Sequence, residues 1–294
     1  MPKGEPNMNS AVSVSIATEP SANLSSPMLM VRGVEKVYPN GTHALQRFDL
    51  DIQRGEIVSL LGPSGCGKST LLKMFADLEQ PSAGQVRWNG KADMQSQCKM
   101  AMVFQEATLM PWANIQDNVR LPLDLRHVSK NISNQKVTAA LTSVGLGKFG
   151  ESYPKELSGG MQMRASLARA LVTEPDLLLM DEPFGALDEF TRHRLDSDIR
   201  TLWSERDLTI VFVTHSIYEA VFLSSRVIVM GARPGRVVAD IRIEGPDHRD
   251  EHFRNSDIFM KQCAHLSEVL EQASGGEHHL SLIHISEPTR LRRI

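Results

Sequence analysis

The chain has 294 residues, 41% hydrophobic and 23% charged, the composition of an ordinary globular protein and the length of one large domain or two modest ones. A formal net charge of −3 gives no reason to expect nucleic acid as a partner, and no apolar run approaches the length of a membrane span. Cys66, Cys98 and Cys263 are too far apart to read as a metal pattern or a disulfide framework, which fits a reducing compartment.

In chain order, residues 1–27 are rich in Ser, Asn and Pro and lack the charged start, apolar block and cleavage pattern of a secretory leader. They read as a disordered arm. Met28–Val34 reads as a strand. Phe48, Leu50 and Ile52 alternate with polar residues, as in a half-buried strand. Tyr38 precedes a Pro39-Asn40-Gly41 turn, where a ring could stack on a flat base or serve as an ordinary core or surface aromatic. Arg54-Gly55-Glu56 turns the chain into a buried strand, Ile57–Leu61.

That strand runs into Gly62-Pro63-Ser64-Gly65-Cys66-Gly67-Lys68-Ser69-Thr70, which meets G-x-x-x-x-G-K-[ST] at every fixed position. A helix is predicted to follow through Leu71 and Leu72. Strand, glycine loop and helix are the context this pattern needs. Glycines let successive N–H groups point at one anion, and the helix N-terminus adds partial positive charge. Lys68 is expected to reach the β- and γ-phosphates of a nucleoside triphosphate, and the Ser69 hydroxyl to hold Mg²⁺.

Further along, Pro81-Ser82-Ala83-Gly84 reads as a turn, Gln85–Trp88 with Asn89-Gly90 as a hairpin signal, and Lys99–Phe104 as a strand ending at Gln105. From Glu106 to Leu157 strand signals are few. Val137, Ala140, Leu141 and Val144 fall at helical spacing, with Ser133 as the expected N-cap and Gly145 as the stop. Ser158 is the expected N-cap of a helix to about Leu171. Gly159 and Gly160 in its first turn cost about 1 kcal/mol each against alanine, which points either to a flexible helix start or to a second anion site.

Leu177–Met180 is a continuous apolar run, as in a strand buried on both faces of a parallel sheet, and it ends in Asp181-Glu182-Pro183. At the ligand edge of an open α/β sheet, Asp181 can hold Mg²⁺ and Glu182 can polarise an attacking water. Gly185-Ala186-Leu187-Asp188 leads to a helix with Leu195, Ile199 and Leu202 on one face. Thr209–Val213 is the next buried strand. It brings His215 to the same edge, within reach of a terminal phosphate, with Ser216 and Glu219 as a capping box. Val227–Met230 and Arg236–Ile241 read as strands, and Phe259–Ala273 as a closing helix.

The order Tyr38, Gly62–Thr70, Gln105, Leu157-Ser158-Gly159-Gly160, Leu177–Asp181 with Glu182, Gly185–Asp188 and His215 resembles the ATP-binding cassette (ABC) ATPases over roughly residues 30–273. The resemblance implies an α/β fold: a P-loop NTPase (RecA-like) core with an N-terminal antiparallel β subdomain and an inserted α-helical subdomain. It places the ATPase domain at 28–250, the helical insert at about 106–165 and a C-terminal helical extension at 251–279. It implies ATP and Mg²⁺ as ligands. Tyr38 would stack on adenine, with Gly62, Pro63, Ser64, Gly65, Cys66, Gly67, Lys68, Ser69 and Thr70 around the phosphates. Gln105 would sense Mg²⁺ and the lytic water, Glu182 would be the catalytic base and His215 the γ-phosphate switch. In a head-to-tail dimer, expected to be a homodimer, Ser158, Gly159 and Gly160 would cap the ATP of the partner subunit, and Asp188 would link the two sites.

Phe104-Gln105-Glu106, Leu109-Met110-Pro111-Trp112, Asp117-Asn118-Val119 and Ala232-Arg233-Pro234-Gly235-Arg236 narrow the resemblance to importers of the nitrate, sulfonate, taurine, bicarbonate and pyrimidine-precursor group. That implies a place at the cytoplasmic face of the cell membrane, beside a transmembrane permease and, indirectly, a solute-binding protein. Trp112 then either lines the groove for the permease or is a core residue. A non-transport ABC ATPase is the alternative, but such proteins carry long coiled-coil insertions or two cassettes, and this chain has one motif set and no sustained heptads. The segment from Leu280 to Arg290 has no place in a cassette. It matches the conceptual translation of a transposon-type sequencing-library adapter, so 280–294 are expected not to be the natural end.

Overall fold

The computed structural model describes residues 27–89, 98–206 and 208–273. The arm, apart from Pro27, and the adapter-like segment lie outside them. Two sheets organise the chain. Strands β1 (Leu29–Val37), β2 (His43–Ile52) and β4 (Ala83–Trp88) form an antiparallel sheet in the order β2-β1-β4. The second sheet holds β3 (Ile57–Leu61), β5 (Met100–Val103), β6 (Leu177–Asp181), β7 (Thr209–Thr214), β8 (Arg226–Gly231) and β9 (Arg236–Arg242) in the order β5-β6-β7-β3-β8-β9. All its pairings are parallel except β8–β9.

The central strands explain their own sequences. All of β3 and all of β7 are buried, as strands covered on both faces of a parallel sheet are, and the polar residue inside β3, Ser59, shares a hydrogen bond with the Ser224 hydroxyl. One apolar cluster lies under the antiparallel sheet and includes Phe48, Phe75 and Trp88, whose indole N–H donates to the Phe75 carbonyl. The other runs from the parallel sheet into helices α2 (Ile115–Leu125), α3 (Lys130–Ser143) and α4 (Gly159–Leu171) and on to α5 (Glu189–Glu205), α6 (Ile217–Leu223) and α8 (Asp257–Ala273). The helical segment and the closing helix therefore share a core with the sheet.

Several expectations need correction. Pro81-Ser82-Ala83-Gly84 is not a closed turn: β4 starts at Ala83, and Gly84 (φ +81°) sits at a register shift in the β1–β4 pairing. A Cβ on Gly84 would lie 2.2 Å from the Gly33 carbonyl oxygen, so close backbone approach demands glycine there. The Asn89-Gly90 signal does not join β4 to the next described strand, since β4 pairs with β1 and β5 lies in the other sheet; Gly90 itself is outside the described residues. Helix α3 starts one turn earlier than expected. Its N-cap position is Ser129, while Ser133 is buried inside the helix and its hydroxyl donates to the Val128 carbonyl. The capping box at α6 is half made: Ser216 accepts from the Glu219 N–H, but the Glu219 carboxylate turns back to the Thr214 hydroxyl. Helix α2, which the sequence did not announce, is N-capped by Asn114 and buries Ile115, Val119 and Leu123.

Below α5, a buried charge cluster joins that helix to the C-terminal segment. Asp196 is fully buried, and Arg254, from α7 (Glu251–Arg254), donates to its Oδ2 at 3.0 Å. Desolvation, reinforced by the Glu219 carboxylate, pushes the Asp196 carboxyl up to about 8 in spite of that arginine. The unfolded chain releases this proton near pH 4, so folding takes up a proton between about pH 4 and 8 and stability falls as pH rises through that window. Asp196→Asn should match the wild type near pH 3, where the carboxyl is protonated in both the folded and the unfolded chain. It should be more stable by ~1–3 kcal/mol near pH 8. Urea denaturation midpoints at the two pH values test this; an equal pH slope in both proteins would contradict it.

Candidate nucleotide site

The parallel strands end at one edge, and that edge carries the predicted site. β3 delivers Gly62–Thr70, β5 delivers Gln105, β6 delivers Asp181 and Glu182, and β7 delivers His215. Because β6, β7 and β3 are neighbours, residues far apart in sequence meet without long loops. A cleft of about 1150 Å³ opens there, lined among others by Tyr38, Ser64, Gly65, Lys68, Gln105 and Glu182.

Within the glycine loop, Gly65 and Gly67 take φ values of +77° and +92°, and helix α1 (Lys68–Phe75) starts immediately after. Lys68, 4% exposed, folds back so that Nζ donates to the Gly62 carbonyl at 2.7 Å and the Pro63 carbonyl at 3.2 Å. It also stands 3.6 Å from Glu182 Oε1. The other Glu182 oxygen is 3.1 Å from His215 Nδ1. Glu182 thus bridges the loop lysine and the histidine, and its backbone sits at φ +45°, a left-handed conformation that a glutamate adopts only where its surroundings impose it. Gly185 sits where these side chains converge: a Cβ there would lie 3.5 Å from the Glu182 carbonyl oxygen, 3.7 Å from Gln105 Nε2 and 3.9 Å from His215 Cε1.

Ser69 Oγ donates to Asp181 Oδ1 at 2.9 Å. Burial raises the Asp181 carboxyl above its ordinary range, and the Ser69 hydrogen bond only partly offsets that. A hydroxyl and a half-buried carboxylate in contact form a hard-oxygen pair of the kind Mg²⁺ takes when it keeps several waters, so the donor set fits that ion. Among the described residues no group of three His, Cys, Asp or Glu side chains forms a denser metal site.

Tyr38 lines the same cleft, its hydroxyl 3.3 Å from Thr70 Oγ1 and one ring face covered by Lys36 Nζ at 5.2 Å from the centroid. It is half-buried, which removes the simple core reading. Ser158, Gly159 and Gly160 are not among the residues lining this cleft. Ser158 caps α4 by accepting from the Met161 N–H, while a Cβ on Gly160 would lie 2.5 Å from Thr191 Cγ2 and one on Gly159 would touch Leu187. The turn of Ser158, Gly159 and Gly160, the signature turn of the cassette pattern, therefore packs beside Asp188, which caps α5 by accepting from the Thr191 N–H at 3.0 Å. That bond, with further backbone donors, holds the Asp188 carboxyl below its usual range. Trp112 is 77% exposed, which rules out the core alternative.

Comparison with known proteins agrees with this geometry. The family model described as ABC transporter matches residues 45–185. An uncharacterised ABC transporter ATP-binding protein of Methanocaldococcus jannaschii is 40% identical over 246 residues, 83% of this chain and 91% of its own length. The chain belongs to the ABC transporter ATP-binding family. A taurine import ATP-binding protein of Roseobacter denitrificans is 43% identical over 211 residues, 71% of this chain and 79% of its own. Among solved structures, a dimeric ATP-binding cassette in a post-hydrolysis state with ADP and Pi superposes with a TM-score of 0.65 at 32% identity, covering 74% of this chain and all of that one. The α/β P-loop cassette fold expected from the sequence is thus the fold found, and the chain is an ATPase subunit.

The sequence reading missed one part of the cleft wall. Arg233 and Pro234, from the β8–β9 turn, line the cleft together with Thr42, His43 and Gln46 at the start of β2.

Proposed function

We propose that this cassette hydrolyses ATP in a head-to-tail dimer at the cytoplasmic face of the cell membrane and couples that cycle to solute import through a permease. The observation that carries the reading is the split of the motifs. Lys68, Ser69, Gln105, Asp181 and Glu182 line one cleft, with His215 against Glu182 at its edge, whereas the signature turn lies outside that lining beside Asp188. A site whose motifs divide in this way is completed by a second cassette, with Ser158, Gly159 and Gly160 capping the partner's ATP.

In this reading Tyr38 stacks on adenine, and the Gly62–Thr70 amides with Lys68 hold the phosphates. Mg²⁺ would be held by Ser69 and Asp181, with Gln105 at its edge, and would supply charge neutralisation at the β- and γ-phosphates. Glu182, oriented by His215 and set 3.6 Å from Lys68, takes the proton of the attacking water. Asp188 ties the signature turn of one subunit to the reactive end of the other. ATP binds the closed dimer better than the open one, and hydrolysis removes that preference. Residues 28–250 form the ATPase domain in this proposal, with the helical insert at about 106–165 and the extension from 251.

Import rests on the relatives named for taurine and aliphatic sulfonate import, whose names favour a small anionic or zwitterionic solute; in this proposal a separate binding protein delivers it. The permease contact is placed at Trp112. Its loop is clamped from below by fully buried Asn118, whose amide accepts from the Met110 N–H and donates to the carbonyls of Met110, Ala113 and Asn114. A rigid loop that presents an exposed indole is the kind of anchor that protein interfaces use.

The test is an affinity pull-down from detergent-solubilised native membranes, with partners identified by mass spectrometry. Recovery of a multi-span permease supports the reading, and exclusive recovery of soluble partners overturns it. Trp112→Ala should leave the melting temperature and the basal ATPase rate unchanged and reduce permease recovery about tenfold or more, as expected of an interface anchor.

A further inference from the structure

We propose that Arg233 completes the base end of the ATP cleft, laying its guanidinium on the adenine face that Tyr38 leaves open. Three observations place it there. First, Arg233 lines the same cleft as Tyr38 and Lys68, although it comes from the β8–β9 turn. Second, that turn is fastened to the start of β2. The Gly235 N–H donates to the Ala44 carbonyl at 3.0 Å, and the Gln46 N–H donates to the Gly235 carbonyl at 2.9 Å. A Cβ on Gly235 would lie 2.1 Å from the Cys66 carbonyl oxygen, so the turn presses directly on the phosphate loop. Third, Arg233 is exposed, holds a left-handed backbone (φ +52°) and joins no ion pair among the described residues. An unpaired guanidinium held in a costly conformation at a ligand cleft is spent on a ligand, not on the fold.

The stacking end follows from the neighbours. The Tyr38 turn is closed by the Tyr38 N–H donating to Thr42 O at 2.9 Å, and Gly235 bonds to Ala44 two residues further on. Tyr38 and Arg233 are therefore delivered to the same short stretch of β2 from opposite ends of the chain. One face of the tyrosine ring is already taken by Lys36, so a base can use only the other. The reactive end has its own cation in Lys68, beside Glu182 and Asp181. A planar, weakly hydrated guanidinium stacks on a flat π-system in a way a lysine cannot.

The inference rests on ATP occupying this cleft, and a base-free probe separates the two ideas. With the full chain and no divalent cation, binding of ATP and of inorganic tripolyphosphate is measured by calorimetry. Arg233→Ala should weaken ATP roughly three- to tenfold, as a cation–π stack predicts, and leave tripolyphosphate unchanged. Arg233→Lys should recover only part of the loss. An equal loss for both probes would assign Arg233 to the phosphates and overturn the stack, as would unchanged ATP affinity or full recovery in Arg233→Lys. If wild-type protein bound neither probe, the ATP reading of the cleft would fail with it. Thermal melts of both variants confirm the fold, since an exposed turn residue contributes little to it.

Discussion

Glu182→Gln should slow ATP turnover by ~10²–10⁴-fold while ATP still binds, the range set by removing a positioned general base. The geometry supports a loss at the chemical step. Among the described residues, Glu182 is the one carboxylate that contacts both the loop lysine, at 3.6 Å, and the edge histidine, at 3.1 Å, and it lies beside Gln105 across Gly185. Glutamine preserves the size of the side chain and can still accept from His215, so the cleft keeps its shape, but an amide cannot take a proton from water at neutral pH. Because hydrolysis is what releases the closed state, the variant should also accumulate as an ATP-bound dimer, seen by size-exclusion chromatography with light scattering. Wild-type turnover in this variant would refute the role assigned to Glu182.

Most of this site can be read in the sequence because its physics is local. Gly65 and Gly67 mark left-handed backbone, the unbroken apolar runs within β6 and β7 and the largely apolar β3 mark strands buried on both faces, and the polar residues that follow them mark the ligand edge. What the sequence hides is non-local or one-off. Gly84 looks like part of a turn because Pro81-Ser82-Ala83-Gly84 has turn composition; only the pairing of β4 with β1 reveals a close approach to Gly33. Helix α2 has its apolar residues at Ile115, Val119 and Leu123, but Pro122 and the acidic and basic residues between them blur the period. Glu219 has the composition of a capping box, yet the Thr214 hydroxyl competes for its carboxylate and wins. Arg233 comes to the cleft only through the hydrogen bonds of Gly235 to β2, almost the full length of the domain away in sequence. For Trp112, a single aromatic among loop residues carries no period, so its exposure had to be seen.

The second large effect is at Lys68. Lys68→Ala should weaken ATP binding by about 2–5 kcal/mol, roughly 30- to 5,000-fold, the cost of removing one partner from a buried charge-assisted contact. The lysine is already aimed by its own loop: its Nζ is held by the Gly62 and Pro63 carbonyls, so it is preorganised at the mouth of the amide cradle. Losing it does two things. It removes the cation that meets the phosphates, and it leaves Glu182 without the charge that stands 3.6 Å away. An unbalanced carboxylate at the reactive end repels a triphosphate. Part of the Lys68→Ala defect should therefore vanish when that carboxylate is also neutralised. Glu182→Gln should tighten ATP binding by a larger factor in the Lys68→Ala background than in the wild type, a non-additivity expected of groups in direct contact. Calorimetric titration of ATP into the two single variants, the double variant and the wild type forms a complete cycle. Strict additivity would show that Lys68 and Glu182 act on the nucleotide independently, and unchanged affinity in Lys68→Ala would remove Lys68 from the phosphate site altogether.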